Sequence, residues 1–492
     1  RVLKGFHPLI ITKRLAPGII QASLAVGLLN DLPDLPVAAG QDPFQITKFV
    51  VKHHSADIKE GFEALEGAMT SVAGRIMSKR GMGKAVFCDL QDGKGRIQLY
   101  VRVDELGEEA FAKFKKTDIG DIVGVEGEVF KTKRGEISVK AHKVTLLSKS
   151  LQPLPEKFHG LTDKEMRYRQ RYVDLIMNEE VKDTFIKRSR ILAAIRKYVR
   201  KFLDERDYLE VETPVLNTIS GGATARPFIT HHNTLDIDMY MRIATELNLK
   251  RLTVGGFERV YEIGPVFRAE KHATQRHLNE YTSLDLEMGF LHSFTDLMAL
   301  EQGFLRRLVA LLRQEYAGEL ALLGAELPDA EHIPAVRFDE AKRLAAEAYG
   351  YAIREPYDLE PEEELLIGQY FKEKYGSDFV FVTHYPSKKR PFYAMEDPGD
   401  PRFTLSFDLL FKGLEVTTGG QRIHDYEMIL NKLVKRGMDP ADIESYLMIF
   451  KYGMPPHGGL GIGLERLTMR LLDEQNVRET ALFPRDVTRL EP

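Results

Sequence analysis

Between Val266 and Phe290 the chain reads VFRAEKHATQRHLNEYTSLDLEMGF, a stretch rich in residue types that bind nucleotides. Arg268 and Glu270 stand two apart, so on an extended strand their side chains share one face. A polar run from Lys271 to Asn279 carries Arg276 and His277, and Tyr281 to Met288 then alternates apolar and polar residues. That alternation predicts a half-buried strand, and the whole stretch an antiparallel hairpin with a long loop. Two arginines and a histidine would lie beside an aromatic ring. Guanidinium groups at fixed positions suit a phosphate chain, and a tyrosine face suits a purine. A solvated charged hairpin has the same composition, so other parts of the chain must decide between the two.

Three other groups add weight. Asp408 and Glu415 fall on two expected strands joined by a tight turn within residues 406–424. Paired carboxylates of this kind hold Mg²⁺ together with phosphate oxygens, without an all-protein cage. From Pro455 to Arg470 a glycine-rich strand runs into a helix beginning near Arg466, where a phosphate would meet it. The glycine spacing is not a dinucleotide fingerprint, and no P-loop signature occurs. Thr245 can cap a helix running from Glu246 to Val254, which places Glu246 in the first turn, able to accept from an ammonium group.

These groups need a scaffold. The 492 residues allow roughly three domains of about 150 residues each. With 43% hydrophobic and 29% charged residues the chain has ample core. A net charge of -4 gives no global pull toward nucleic acid, so such a partner would need a local basic face. Cys88 is the single cysteine, which excludes an internal disulfide and a multi-thiolate zinc site and fits a reducing compartment. No apolar run approaches the roughly 20 residues that span a bilayer.

Residues 1–41 read as an extension with no legible role. From Ser71 to about Leu151 five short strands with a helix near 108–114 between the third and fourth match an oligonucleotide-binding barrel. Arg75, Phe87, Gln98 and Tyr100 would give its face a cation, aromatic platforms and a base-edge reader, unless Phe87 sits in the barrel core. Residues 151–180 read as a linker. A helix from Val181 to about Asp207 carries an apolar stripe fit for a core or a dimer seam, and a strand from Tyr208 stops at Pro214. Helices are expected near 293–315 and 338–348, and a strand near 378–384.

Pro214 after the long helix, the run from Phe267 to Tyr281, and Gly461-Ile-Gly463-Leu-Glu465-Arg466 resemble, in order, the three signature motifs of class II aminoacyl-tRNA synthetases. The barrel places the resemblance in the subgroup of lysyl, aspartyl and asparaginyl enzymes. It implies an α+β fold: an anticodon-binding OB-fold barrel over 42–150, a linker over 151–180, and an antiparallel catalytic sheet flanked by helices over 181–492. It further implies a cytoplasmic homodimer that uses ATP and Mg²⁺, with an amino acid and a tRNA as substrates. Arg268 would hold the α-phosphate and, with Arg466 at the γ-phosphate, carry the catalysis. Glu270 and Tyr281 would hold adenine, Arg276 and His277 would reach the terminal phosphates, and Asp408 and Glu415 would bind Mg²⁺. Glu246, Gly420, Arg422 and His424 would form the amino-acid pocket, while Arg75, Phe87, Gln98 and Glu136 would read the anticodon.

Residues 42–264 resemble bacterial lysyl enzymes, and residues 266–492 resemble archaeal-type aspartyl enzymes. Arg422 stands where a lysyl enzyme has its side-chain-binding glutamate. A cation there repels a lysine ammonium and can pair with an aspartate carboxylate. The second cation of the aspartyl pocket is matched by Leu249, and Glu246 is as in lysyl enzymes. Aspartate with an aspartate-type tRNA is therefore the expectation, and lysine with a lysine-type tRNA the alternative. A relative that only binds tRNA is the third reading.

Overall fold

The computed structural model describes residues 44, 46–155, 161–218, 221, 225–271 and 273–491. The extension read over 1–41 lies outside them. The chain divides after residue 160 into two compact units.

In the first unit, β1 (Met69–Met82), β2 (Ala85–Gln91), β3 (Arg96–Arg102), β4 (Ile122–Lys131) and β5 (Ile137–Ser148) close a barrel in the order β1-β2-β3-β5-β4. Only β3 and β5 pair in parallel. Alternation along the strands sends Val86, Cys88, Leu90, Ile97, Leu99 and Val101 inward. The helix Glu108–Lys115 between β3 and β4 adds Phe111 and Phe114 to this core. This is the expected OB arrangement. Phe87 is not in the core: with Gln98 and Tyr100 it belongs to the opposite, outward-facing set of the alternation.

In the second unit an eight-stranded sheet runs in the order β12-β13-β16-β17-β18-β11-β10-β6. Its members are β6 (Leu209–Glu210), β10 (Arg259–Phe267), β11 (Glu280–Gly289), β12 (Ala335–Arg337), β13 (Phe379–Thr383), β16 (Ser406–Phe411), β17 (Leu414–Arg422) and β18 (His457–Gly463). The pairs from β13 to β10 are antiparallel, and each edge strand joins in parallel. Two small accessory sheets hold β7 (Leu216–Asn217), β8 (Ile229–His232) and β9 (Ile237–Met241), and β14 (Glu396–Asp397) with β15 (Asp400–Thr404).

The long helix Glu179–Asp204 and the helix Phe294–Glu315 share one core with the sheet. The stripe Ile191, Ala194, Ile195, Tyr198, Val199, Phe202 is buried inside this unit, so it is core and not a seam left open to a partner. The helices Phe338–Tyr349 and Pro361–Tyr375 pack a smaller core against β12, β13 and β16.

Two sequence readings need correction. Residues 161–180 are not a linker. They form helices Lys164–Arg169 and Arg171–Met177, with Arg171 buried on Asp174 at 2.5 Å and Tyr168 donating to Glu479 at 2.7 Å. Polar residues that look solvated in sequence find partners in the fold, one of them 311 positions away in the chain. The helix Pro361–Tyr375 was not anticipated, although Pro361 in its first turn, Glu362 to Glu364 after it and Gly376 at its end are ordinary helix signals.

β18 crosses the middle of the sheet between β11 and β17, and its glycines let side chains from both neighbours lie over it. A Cβ at Gly459 would press on the Leu286 carbonyl oxygen and the Glu287 carboxyl group. Gly459→Ala should therefore lower stability by about 1–3 kcal/mol, read as a drop in the denaturant midpoint at unchanged slope.

Candidate active site

One cavity of about 340 Å³ opens over the sheet, lined from β11, β16, β17 and β18, the loop after β10, and the loop 389–394. It collects Glu246, Arg268, Glu270, Arg276, His277, Tyr281, Asp408, Glu415, Arg422 and Arg466 from sequence positions spread over 220 residues. Register explains the meeting. β10 pairs with β11 (Val266↔Tyr281), β11 with β18 (Ser283↔Gly463), β18 with β17 (Thr418↔Gly461), and β17 with β16 (Asp408↔Thr418).

Arg268 lies just beyond the end of β10, not within the strand. Its Nε donates to the Ile243 carbonyl at 3.1 Å, and its guanidinium lies 5.3 Å from the Tyr281 ring centroid. Burial pushes the Tyr281 hydroxyl up to about 12, so the ring stays neutral. His277 is bonded to Thr274 at 2.5 Å. Burial, with Arg466 and Arg276 nearby, lowers it to about 4, which keeps the imidazole uncharged at neutral pH.

Arg466 ties the loop after β10 to strand β17. Its Nε donates to the Arg276 carbonyl at 3.1 Å, and its Nη1 donates to the Glu415 carbonyl at 3.0 Å and lies 3.5 Å from the Glu415 carboxylate. Glu415 is held below the usual carboxylate range: Arg466, Arg276 and Arg390 outweigh the burial that would raise it. Asp408 goes the other way. Burial is the first cause and the charge of Glu415 adds to it, against Arg390 at 2.7 Å, so its carboxyl sits at about 6. A buried acid and a partly exposed one, both facing an open cavity, are a donor set suited to a divalent cation.

At Arg422 the cavity meets a network of buried and nearly buried charges. Arg422 pairs with Glu246 at 2.8 Å, Lys250 pairs with Glu246 and, at 2.7 Å, with Glu287, and Tyr393 donates to Glu246 at 2.8 Å. Glu246 stays below its usual range because Arg422 and Lys250 overcome its burial. Asp285 also lines the cavity and accepts from Thr245 Oγ1 at 2.7 Å and Ser283 at 2.6 Å. Thr245 is thus at the helix N-terminus as expected, but its hydroxyl serves Asp285 and does not cap the helix.

Gly420 and His424 are not on the cavity wall. Gly420 is closed in by the Leu405 carbonyl and Ser406, and His424 lies past the end of β17. Sequence reasoning missed Lys250, Asp285, Glu287, Arg390, Tyr393 and Glu364. Lys250 had a visible signal, being one helical turn after Glu246. Asp285 and Glu287 share alternation with Ser283 on β11. Arg390 and Tyr393 come from an irregular loop and carried none.

On the barrel, Phe87 stacks on Tyr100 with centroids 4.8 Å apart, and Phe130 extends the row at 5.8 Å from Tyr100. Gln98 sits beside them, accepting from Ser138 at 3.1 Å. Arg75 donates to the Gly120 carbonyl at 2.7 Å, and Glu136 is exposed on the turn before β5.

Comparison with known proteins accounts for both units. The family described as tRNA synthetases class II (D, K and N) matches residues 163–487, and the family OB-fold nucleic acid binding domain matches residues 70–147. The chain belongs to the class II tRNA synthetases of the D, K and N group. A lysine--tRNA ligase of Clostridium perfringens is 43% identical to this synthetase over 477 residues, covering 91% of this chain and 93% of the relative. One from a Thermoanaerobacter strain is 44% identical over 474 residues, covering 90% and 92%. Among solved structures, asparaginyl-tRNA synthetase from Pyrococcus horikoshii complexed with asparaginyl-adenylate is similar with a TM-score of 0.76 at 29% identity, covering 90% of this chain and 100% of that one. A putative aspartyl-tRNA synthetase from Leishmania major aligns with a TM-score of 0.75 at 26% identity, covering 91% and 97%. Likeness to lysine--tRNA ligases therefore continues across Gly264-Pro265, where the sequence reading placed a change from lysyl-like to aspartyl-like. No helix among the described residues is long and apolar enough to cross a membrane.

The Asp408 carboxyl at about 6 sets a pH limit. Below that value it is protonated and no longer an anion. The Mg²⁺ concentration needed for half-maximal ATP–pyrophosphate exchange should rise as pH falls through about 6 and level off above neutrality.

Proposed function

We propose that this synthetase activates lysine with ATP and transfers it to a lysine-type tRNA. The nucleotide half of the reading is carried by one observation: Arg268, Arg276, Arg466, Asp408 and Glu415 converge on a single cavity although they come from three separate stretches of sequence. The amino-acid carboxylate attacks the α-phosphate in line, and pyrophosphate leaves. Little covalent work falls to the protein, which positions the reactants and neutralises charge.

In this reading Arg268, fixed by the Ile243 carbonyl, meets the charge that develops on the α-phosphate. Arg276, neutral His277 and Arg466 take the outer phosphates, and Glu270 and Tyr281 take the adenine. Asp408 and Glu415 would hold Mg²⁺, which supplies charge neutralisation on the phosphates when bound. Glu246 and Asp285 take the ammonium groups of the amino acid. In the second step the tRNA terminal hydroxyl receives the aminoacyl group.

Two things support lysine. Relatives 43% and 44% identical to this chain are lysine--tRNA ligases by name, and the network around Arg422 and Lys250 sets three acids beside them, Glu246, Asp285 and Glu287. Arg422 is already paired with Glu246, so it is a counter-ion before it is a receptor. Aspartate is the second reading, favoured by Arg422 on the cavity wall with Lys250 behind it. ATP–pyrophosphate exchange with each amino acid separates them: lysine should support exchange and aspartate should not, and the reverse would establish the aspartate reading. Exchange with neither would leave a protein that only binds tRNA.

The barrel face serves tRNA by stacking on Phe87 and Tyr100 with Gln98 at a base edge, and Arg75 and Glu136 frame it. Losing one stacking platform costs about 1–3 kcal/mol. Phe87→Ala should therefore raise the KM for tRNA about tenfold while exchange without tRNA is unchanged. A homodimer is part of the same proposal, supported by exposed Leu209, Leu216 and Ile229 on the outer strands β6, β7 and β8, and light scattering gives its mass directly.

A further inference from the structure

The outer-phosphate residues Arg276, Arg466 and Glu415 come from a loop, a helix and a strand, and one side chain outside that set joins them. Glu364 lies on the helix Pro361–Tyr375, in the segment inserted between the nucleotide hairpin and the carboxylate strands. Both of its oxygens accept from Arg276 Nη2, at 2.9 and 2.7 Å, and Oε2 also accepts the backbone N–H of Glu415 at 3.0 Å. Arg466 completes the circuit through the Arg276 and Glu415 carbonyls. The result is a closed ring: Glu364 to Arg276, Arg276 to Arg466, Arg466 to Glu415, Glu415 to Glu364. Glu364 is 6% exposed, so the ring is shielded from competing water on that side.

We infer that Glu364 is a positioning residue for the terminal phosphates of ATP, fixing Arg276 and the Glu415 backbone in the arrangement that receives them. The inference rests on the reading of the cavity as an ATP site, and it adds a role for a helix that carries no residue of the nucleotide set. The pairing uses only Nη2 of Arg276. The Nε and Nη1 groups keep their donors for phosphate, so Glu364 orients the guanidinium without occupying its whole fork. A carboxyl this buried needs a specific hydrogen-bonding partner, and Arg276 is that partner.

The test needs no knowledge of the amino acid. Calorimetric titration with ATP and with AMP, both in Mg²⁺, compares wild type with Glu364→Gln, Arg276→Ala and the double variant. Glu364→Gln is close to isosteric, so AMP binding also reports that the fold is intact. The expected result is about tenfold weaker ATP binding, unchanged AMP binding, and no further loss when Glu364→Gln is added to Arg276→Ala. Equal weakening of ATP and AMP would make Glu364 a general structural residue and overturn the proposal. Unchanged or tighter ATP binding would overturn it too, the latter showing that Glu364 competes with phosphate for Arg276. Additive losses in the double variant would show that the two act separately, again overturning it. A wild-type protein that binds neither nucleotide would instead remove the ATP reading beneath the proposal.

Discussion

Burying charge on one face of a sheet is the constraint on which this catalytic unit depends. Each ion taken from water costs several kcal/mol unless a partner and hydrogen bonds replace the solvent. Around the cavity the unit buries, or nearly buries, Lys250, Arg390 and Arg422 together with Glu246, Glu287 and Asp408. They are arranged as Arg390 with Asp408, Arg422 with Glu246, and Lys250 bridging Glu246 and Glu287. Such pairs have few alternative geometries in a packed interior. The electrostatic need to pair also holds the side chains where a nucleotide and an amino acid require them.

The imperfections in that pairing are where ligands fit. Asp408 on β16 and Glu415 on β17 part in opposite directions: burial, with the charge of Glu415 added, raises Asp408, while Arg466, Arg276 and Arg390 hold Glu415 down. Cations beside Glu415 settle which acid keeps its charge. Glu301 shows the contrasting case. It is fully buried in the core, accepts from Thr417, and is pushed up to about 8 by burial, so it is a neutral hydrogen-bonding group and not part of the cavity. Raised carboxyls alone do not mark a site; a raised carboxyl facing an anion and open space does.

The amino-acid pocket shows why counting charges by position misleads. Arg422 taken alone predicts an acidic substrate. In the folded unit it is one side of a salt bridge, and two acids from β11, Asp285 and Glu287, change the local balance. Position along β17 gives the identity of the charge, while the neighbouring strand gives its availability. The sequence reading looked for a second cation at Leu249, which is buried; the next residue, Lys250, is a cation but is already paired with Glu246 and Glu287.

Local patterns were enough for much of the protein. Period-two alternation found β2, β3, β11 and β17. The five barrel strands with a helix between the third and fourth are legible in the sequence, as is the grouping of Arg268, Glu270, Arg276, His277 and Tyr281 on one hairpin. These are properties of neighbours in sequence, and strand and helix periodicity report neighbours directly. Only the tertiary structure placed Glu364 against Arg276, Arg390 against Asp408, and Glu287 behind Arg422. Those pairs join residues 88, 18 and 135 positions apart. Sheet register and helix docking decide them, and a carboxylate in sequence carries no mark of which distant cation will neutralise it.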